Sequence, residues 1–153
     1  MFRQFGNVVS QVIRNRNQFV SIGKRNKHYY TKSHEFIDFI DDKRVRMGVS
    51  KYAIQSLGDI VYIEAEPVDT EFEEGDELTA IESVKATGSV NAICDGIIIN
   101  TNTELIENPD NYENINNLEE LDIWFFEFEP SSQIKKEELI KPENYDEYIE
   151  SCK

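Results

Sequence analysis

The sequence is poor in the residues that build disulfide, metal and nucleophilic sites. It contains only two cysteines, Cys94 and Cys152, and two histidines, His28 and His34. Two cysteines do not make a disulfide framework, and no CxxC or Cys/His spacing predicts a zinc site. The sequence also shows no Ser/His/Asp or Cys/His set and no glycine-rich phosphate loop. We therefore expect free thiols in a reducing compartment and no catalytic centre of these types.

Long apolar runs are absent, and charge of one sign is absent from the start of the chain. No run approaches the ~20 apolar residues that a membrane-spanning helix needs, so we expect no membrane span. Residues 1–34 contain seven Lys and Arg and no Asp or Glu, whereas the rest contains nine Lys and Arg and all 30 acids. This boundary divides the chain into a basic front end and an acidic body.

The basic front end has the composition of an organelle transit peptide. Its apolar residues recur at spacings of three or four, which places them on one face of a helix with arginines outside it: Phe2, Phe5, Val9, Val12 and Ile13. A disordered basic tail or a nucleic-acid-binding arm is the alternative. We assign residues 1–28 to the transit peptide and residues 29–153 to the folded domain. The latter hold ten Lys and Arg against 30 acids, a net charge of −20 that repels nucleic acid and anionic lipid.

Short alternating apolar segments separated by turns predict a mainly β body with short helices. The predicted strands cover residues 34–41, 44–50, 60–67, 78–84, 89–96, 96–102 and 122–130. In the last of these, Ile123, Phe125 and either Phe126 or Phe128 are expected to point inward. The predicted helices cover residues 50–59, with Ser50 as the N-cap and Gly58 as the stop, then 131–140, capped by Ser131 or Ser132, and 142–152. Residues 104–121 are predicted to be irregular, with one helical turn at their end.

One lysine stands alone in the acidic body. Lys85 is the only Lys or Arg between Tyr52 and Ile134, a stretch of 83 residues that holds 20 Asp and Glu. The strand that ends at Val84 and the turn glycine Gly88 place Lys85 at or beside the tip of a hairpin. A solvated turn lysine is one interpretation. The other is an amine presented to a modifying enzyme, whose product would be an acyl arm that confines a carried group near successive active sites.

Several segments together resemble the glycine cleavage system H-protein family. The segment "ESVKA" around Lys85 resembles that family's lipoylation site, and "YTKSHEF" resembles its opening motif. The stretch "MGVSKYAIQSLGDIVYIEAEPVDTEFEEGDEL" carries its LGD motif, and "KPENYDEYIESC" resembles its C-terminal helix. The resemblance covers residues 29–150, and the residues that flank Lys85, Val84 and Ala86, differ from those typical of biotin carriers.

The resemblance implies a lipoyl-type barrel-sandwich hybrid of two small antiparallel sheets with short extra helices, including C-terminal helices. It implies lipoate covalently bound to Lys85 and a shuttle that is not itself an enzyme, in the mitochondrial matrix. The implied partners are the pyridoxal-phosphate-dependent glycine decarboxylase (P-protein), the tetrahydrofolate-dependent aminomethyltransferase (T-protein) and dihydrolipoamide dehydrogenase (L-protein). A lipoyl or octanoyl transferase, or a lipoate ligase, would modify Lys85. Glu82 is expected to help that enzyme place the hairpin tip, and Glu35 to pair with the aminomethyl amine; both could instead be solvated strand carboxylates.

Two functional alternatives remain open from the sequence. The first is a lipoyl relay that donates lipoate to other acceptor proteins, and the second is an unmodified interaction module. The family's "PYG.GW" loop is replaced here by "NLEELDIW", and Ser56 stands where some members carry His. We expect these changes to affect docking of the arm or the choice of partner. Cys94 is expected to be an inert strand thiol, with redox exchange with the lipoyl disulfide as the alternative.

Overall fold

The computed structural model describes residues 28–153, which form two antiparallel β-sheets. A six-stranded sheet has the order β1-β2-β3-β9-β8-β5, and a three-stranded sheet has the order β4-β6-β7. The strands are β1 His28–Tyr30, β2 Glu35–Phe39, β3 Val45–Val49, β4 Ile60–Ala65, β5 Glu71–Phe72, β6 Glu77–Ser83, β7 Thr87–Asn91, β8 Gly96–Thr101 and β9 Trp124–Pro130. The predicted fold class, a mainly β sandwich resembling an unclosed barrel, is confirmed.

Among residues 28–153, three short α-helices lie between strands, a fourth follows the last strand, and three single 3-10 turns accompany them. The helices are α1 Lys51–Leu57, α2 Thr103–Ile106, α3 Asp110–Glu113 and α4 Pro142–Ser151; the 3-10 turns are Ile115–Asn117, Glu120–Asp122 and Lys136–Glu138. Helix α1 begins and ends as predicted, because the Ser50 Oγ accepts a hydrogen bond from the Ala53 N–H (3.2 Å) and Gly58 follows its last residue. Residues 104–121 hold more helical turns than the one predicted.

The core lies between the sheets and is built mainly from branched aliphatic and phenylalanine side chains. Its fully buried members include Ile37, Met47, Ile54, Ile63, Ile81, Ile98, Phe125, Phe126 and Phe128. Strands of both sheets contribute their inward-facing residues, and Ile54 extends the same core under α1. The hydrophobic burial that holds the two sheets together therefore also fixes α1 over one end of the sandwich.

Strand β9 buries more phenylalanine than its alternation predicts. Met47 pairs with Phe126 and Gly48 pairs with Trp124, so Phe125 is the extra residue of a β-bulge. A bulge places two residues of one strand opposite one residue of its partner and turns the side chains locally. Phe125, Phe126 and Phe128 are consequently all buried, whereas the sequence predicted one of the last two to face outward.

Gly48 makes the close approach at this bulge possible. A Cβ atom at this position would lie 2.0 Å from the Ile123 backbone oxygen and 2.7 Å from the Trp124 Cα. No rearrangement of a flexible side chain would relieve these contacts, because both are with backbone atoms. The glycine therefore fixes how closely β3 and β9 pack.

The predicted helix over residues 131–140 is wrong. This segment contains only the 3-10 turn Lys136–Glu138, and the C-terminal helices of the prediction reduce to α4 alone. The two serines expected to cap the helix bind a neighbouring loop: the Ser131 N–H donates to the Asp95 carbonyl (2.9 Å) and the Ser132 Oγ accepts from the Asp95 N–H (2.9 Å). Ile140 then exchanges two backbone hydrogen bonds with Tyr30, which requires extended backbone.

Within residues 28–153, no helix is both long enough and apolar enough to cross a membrane. The predicted transit peptide, residues 1–28, lies outside the described residues except for His28, where β1 begins. It remains a prediction.

Candidate functional site

Lys85 lies in the three-residue connection between β6 and β7, as the sequence predicts. The strands that carry it pair Glu82 with Thr87 and Ile81 with Gly88. Lys85 is exposed, and its neighbour Val84 is 74% exposed. The hairpin therefore presents one primary amine to solvent at the end of the three-stranded sheet.

Ser83 fixes the shape of this connection. Its backbone N–H donates to the Ala86 carbonyl (2.8 Å), and its Oγ accepts a hydrogen bond from the Ala86 N–H (3.0 Å). The Lys85 N–H also points toward the same Oγ, at 3.4 Å. A serine hydroxyl that bonds the backbone of the residues just after it is a recurrent turn device, so the lysine stands on a turn that is hydrogen-bonded from within.

Two of the motifs that carried the family resemblance meet at this turn. The Val84 N–H donates to the Asp59 carbonyl (3.0 Å), which ties "ESVKA" to "LGD". Gly58, the residue after α1, has φ 83°, a left-handed conformation that favours glycine. A Cβ atom at Gly58 would lie 3.2 Å from the Lys85 Cε, so the glycine also leaves space for the lysine stem.

Glu82 lies beside the turn, on the exposed face of the small sheet. Its partners in the strand register are Thr87 on β7 and Tyr62 on β4, and its own side chain is exposed. Lys85 and Glu82 are therefore brought together on one hairpin, as the sequence predicted for a recognition residue near the tip.

Glu35 lies elsewhere, at the start of β2 in the large sheet, and it is not the solvated carboxylate that the sequence left open. Its side chain is only 5% exposed. It accepts hydrogen bonds from the Thr31 hydroxyl and from the backbone N–H of Asn91, the last residue of β7. Burial raises the pKa of this carboxyl group, and these hydrogen bonds oppose the rise only in part.

A cleft lies beside the residues that hold Glu35. Its volume is about 590 Å³, and its lining includes Thr31, Ala92, Ile93 and Leu139. Because β7 runs from the lysine turn to Asn91, one strand connects the exposed amine to the buried carboxylate. The structure thus separates an exposed attachment point from a sheltered acidic position.

His34, the residue before Glu35, anchors a hydrogen-bonded chain. Its Nδ1 lies 2.9 Å from the Tyr145 hydroxyl, which donates to the Ser50 Oγ (2.7 Å). Which of His34 and Tyr145 donates depends on which ring nitrogen of His34 carries the proton. Desolvation lowers the pKa of His34, and burial raises that of Tyr145 to about 12. This chain joins β2, the N-cap of α1 and helix α4.

The loop that departs from the family pattern contacts the N-terminal end of α1. The Tyr30 hydroxyl donates to the Glu120 carboxylate, whose other oxygen accepts from the Lys51 N–H (2.9 Å). Helix α1 has seven residues, about 10 Å at 1.5 Å per residue, and Lys85 lies at its opposite end. The altered loop therefore supports the N-terminal end of α1, whose C-terminal end borders the lysine. Trp124, the last residue of that loop, packs under the guanidinium of Arg46, which lies 4.5 Å from the ring centre.

The two cysteines differ in environment. Cys94 is fully buried, and burial raises the pKa of its thiol to about 11, which suits the predicted inert thiol. It lies in the bend between β7 and β8, however, and not on a strand. Cys152 is exposed. Among residues 28–153, no group of three or more His, Cys, Asp or Glu side chains is placed to hold a metal ion.

Sequence reasoning missed three residues that shape the site. Ser83, Thr31 and Asn91 were not singled out, although the first holds the lysine turn and the other two hold Glu35. A serine at the end of a strand, just before a turn, is a signal that could have indicated Ser83. Thr31 lies only four residues before Glu35, whereas Asn91 reaches it through proximity between the two sheets, which a single sequence does not reveal.

Comparison with known proteins gives one consistent family. Residues 28–152 match the family model described as Glycine cleavage H-protein. The chain is 38% identical over 129 residues to a protein named "Probable glycine cleavage system H protein" from Thermococcus gammatolerans, covering 80% of this chain and 90% of that one. It is 33% identical over 133 residues to "Probable glycine cleavage system H protein 1, mitochondrial" from Dictyostelium discoideum, covering 86% and 89%.

The fold comparison agrees with the sequence comparison. The crystal structure of a glycine cleavage system H protein from Mycobacterium marinum superposes with a TM-score of 0.66 and 23% identity, covering 83% of this chain and 97% of that one. At this identity the match establishes the shared fold, while the family model and the relatives above 30% identity establish the family. The chain is therefore a member of the glycine cleavage H-protein family.

Proposed function

We propose that this protein carries a lipoyl group in amide linkage on Lys85 and acts as the shuttle of a glycine cleavage system. The observation that carries the proposal is the position of Lys85. It is the only Lys or Arg between Tyr52 and Ile134, it is exposed at a hairpin tip, and its stem lies against Gly58 of the LGD motif. A modifying enzyme would meet no competing amine from that stretch of the chain.

The residues present fit such a group. The Lys85 amine is accessible for acylation, and Ser83 holds the turn so that the attached arm would project from a fixed base. When bound, the lipoyl group would supply a disulfide that is reduced as it accepts the aminomethyl group of glycine, and the dithiol left after that group is passed on would be oxidised back to the disulfide by the dehydrogenase. The protein itself holds the arm, limits where it can reach and thereby raises its effective concentration near successive active sites.

Glu35 is proposed to receive the protonated amine of the carried group. Its carboxyl group is buried, and Thr31 and the Asn91 N–H orient it. A cation that approaches a buried carboxylate favours the ionised form and pairs with it strongly. Glu82, exposed beside the turn, is proposed to guide the enzyme that acylates Lys85.

The proposed partners are those of a glycine cleavage system. They are the glycine decarboxylase, the aminomethyltransferase, dihydrolipoamide dehydrogenase, and a lipoyl or octanoyl transferase or a lipoate ligase. We further propose the mitochondrial matrix as the location, with a transit peptide over residues 1–28 that is cleaved near the start of β1. The acid-free composition of residues 1–34 and the mitochondrial relative from Dictyostelium discoideum support this location.

The shuttle function can be tested by glycine–bicarbonate exchange with the purified decarboxylase. Lipoylated wild-type protein is expected to support exchange, and Lys85→Arg, which keeps the charge but cannot be acylated, is expected to abolish it. Lys43→Arg is the matched control, since Lys43 is also an exposed lysine and lies in the turn between β2 and β3, outside the cleft beside Glu35. Absence of exchange with lipoylated wild-type protein would contradict the shuttle and favour the lipoyl relay, which transfer of the lipoyl group to a second acceptor protein would then reveal.

A further inference from the structure

Large apolar side chains are exposed around the base of Lys85. Val84 is 74% exposed, Val61 53% and Tyr62 45%. A fourth exposed apolar side chain, that of Val68 at 44%, lies in the loop between β4 and β5. Three of these four side chains therefore belong to the two segments that form the lysine turn and the strand beside it.

A β-bulge creates this arrangement. Ile60 pairs with Ser83 and Tyr62 pairs with Glu82, so Val61 is an extra residue on β4 directly next to the turn. Val84 is held against the same point by the hydrogen bond from its N–H to the Asp59 carbonyl (3.0 Å). Bulges near functional sites commonly redirect a side chain. Here the bulge leaves Val61 exposed two residues after Asp59, whose carbonyl holds Val84.

The fold does not require these side chains to be apolar. On β4 the core contacts are made by Ile60 and Ile63, which are 7% and 2% exposed. Strand β4 is also an edge strand, where exposed apolar residues invite unwanted pairing. The open edge is partly closed by Tyr112, whose hydroxyl accepts a hydrogen bond from the Ile63 N–H. A partner would therefore meet the side chains of this surface more readily than its backbone.

Exposed carboxylates surround the apolar patch. Asp59 precedes it, Glu64 follows it on β4, and Glu82 lies opposite Tyr62. Apart from Lys85 itself, no Lys or Arg occurs between Tyr52 and Ile134 to offset them. An apolar centre with an acidic rim fits a partner that has an apolar centre and a basic rim.

The length of the lysine side chain indicates which partner this is. Its four-carbon stem reaches only about 6 Å from the backbone. An enzyme that acylates the amine must therefore bring its active-site rim against the residues beside Lys85. Enzymes that act on the end of the finished arm operate at a greater distance from the turn and have no such need.

We propose that Val61, Tyr62 and Val84 form the docking surface for the enzyme that acylates Lys85, a protein with an apolar contact surface and a basic rim. This inference rests on the proposed function, because it takes Lys85 as the acylated residue. Glu82 then acts at the rim of a larger surface and not as a single recognition residue.

The test is the rate of acyl transfer to purified unmodified protein by the transferase or ligase. The variant Val61→Thr/Val84→Thr keeps side-chain shape and β-branching but removes apolar area. It is expected to lower kcat/KM about tenfold, mainly through KM, since the lost contact is to the docking surface. The matched control Val68→Thr, an equally conservative change at an exposed valine away from the turn, is expected to stay within about twofold of wild type. Thermal unfolding of each variant verifies that the fold is retained.

Each outcome has one meaning. Acylation of the double variant at the wild-type rate would overturn the docking proposal. If the acylated double variant also lost glycine–bicarbonate exchange, the surface would be assigned to the decarboxylase. A dimer of the wild type that the double variant dissociates, with acylation unchanged, would assign the surface to a second copy of the chain. Failure of the wild type to be acylated at Lys85 would contradict the proposed function itself.

Discussion

At the scale of single residues, Glu35 and Lys85 are two charged groups in opposite environments. Glu35 is 5% exposed and hydrogen-bonded, whereas Lys85 is exposed at a hairpin tip. A buried carboxylate is costly unless hydrogen bonds or a cation compensate it. An approaching ammonium group would therefore stabilise the ionised form of the Glu35 carboxyl group. This is the property expected of a residue that binds a carried amine.

The buried carboxyl group makes stability depend on pH in a specific direction. Burial raises the pKa of Glu35, so the folded state binds this proton more tightly than the unfolded state does. The resulting stabilisation is complete below the unfolded pKa and is lost as the pH rises through the folded pKa. We expect the stability of wild type relative to Glu35→Gln to fall as the pH rises from the ordinary pKa of a glutamate through the raised pKa of Glu35 in the folded state.

Denaturant unfolding at several pH values measures this difference. Glu82→Gln is the control, because its pH profile of stability shows the effect of removing an exposed carboxylate from the same chain. If the wild type and Glu35→Gln unfold with parallel pH profiles, Glu35 does not titrate differently in the folded state and the assigned environment is wrong.

At the scale of elements, the C-terminal helix α4 contacts β1 and His34, the residue before β2. Tyr145 of α4 stacks on Tyr30 of β1 with ring centres 3.7 Å apart and an angle of 3°. Its hydroxyl also joins His34 to Ser50, the N-cap of α1. Helix α4 thereby supports both Glu35's strand and the helix whose C-terminal end borders Lys85.

Tyr145→Phe tests this connection, because it keeps the ring and removes the hydroxyl. It is expected to destabilise the protein by about 1–3 kcal/mol, since His34 and Ser50 lose a buried partner. The control Tyr148→Phe removes an exposed hydroxyl that donates to the Lys32 carbonyl and should cost no more than about 0.5 kcal/mol. Equal stabilities of the two variants in thermal or chemical unfolding would show that the Tyr145 chain contributes nothing.

Local patterns predicted some elements well and others poorly. Helix α1 was predictable because Ser50 is a local start signal and Gly58 a local stop signal, and the fold retains both. The helix over residues 131–140 was not, because its serines bind Asp95 and Ile140 pairs with Tyr30. Those partners are distant in sequence, so tertiary hydrogen bonds override the local helix propensity of residues 131–140.

At the scale of the whole molecule, the fold brings together sites that are far apart in the chain. The hairpin position of Lys85 followed from sequence, but its contact with Gly58 and the burial of Glu35 against Asn91 depend on how the two sheets pack. The exposed patch of Val61 and Val84 depends on a bulge that alternation alone does not predict. The sequence motifs therefore predict where the site lies, whereas the contacts and burial of its residues depend on packing.

The N-terminal boundary of the folded unit is also a property of the whole molecule. Strand β1 joins β2 on one side and Ile140 on the other, so it belongs to the folded unit. We expect residues 28–153 to be as stable as the full chain, and residues 31–153 to lose about 3 kcal/mol or more because the Tyr30 ring is removed from the packed cluster. Thermal unfolding of the two truncations measures this, and equal melting temperatures would contradict the role given to β1.

The central claim is that Lys85 is the attachment point of the carried group. Intact-mass measurement of protein purified from its own cells, followed by peptide mapping, tests it most directly. We predict a mass increase of roughly 188 Da that maps to Lys85 and is absent from Lys85→Arg. An unmodified Lys85 in the native protein, or the same increase on another lysine, would contradict the account.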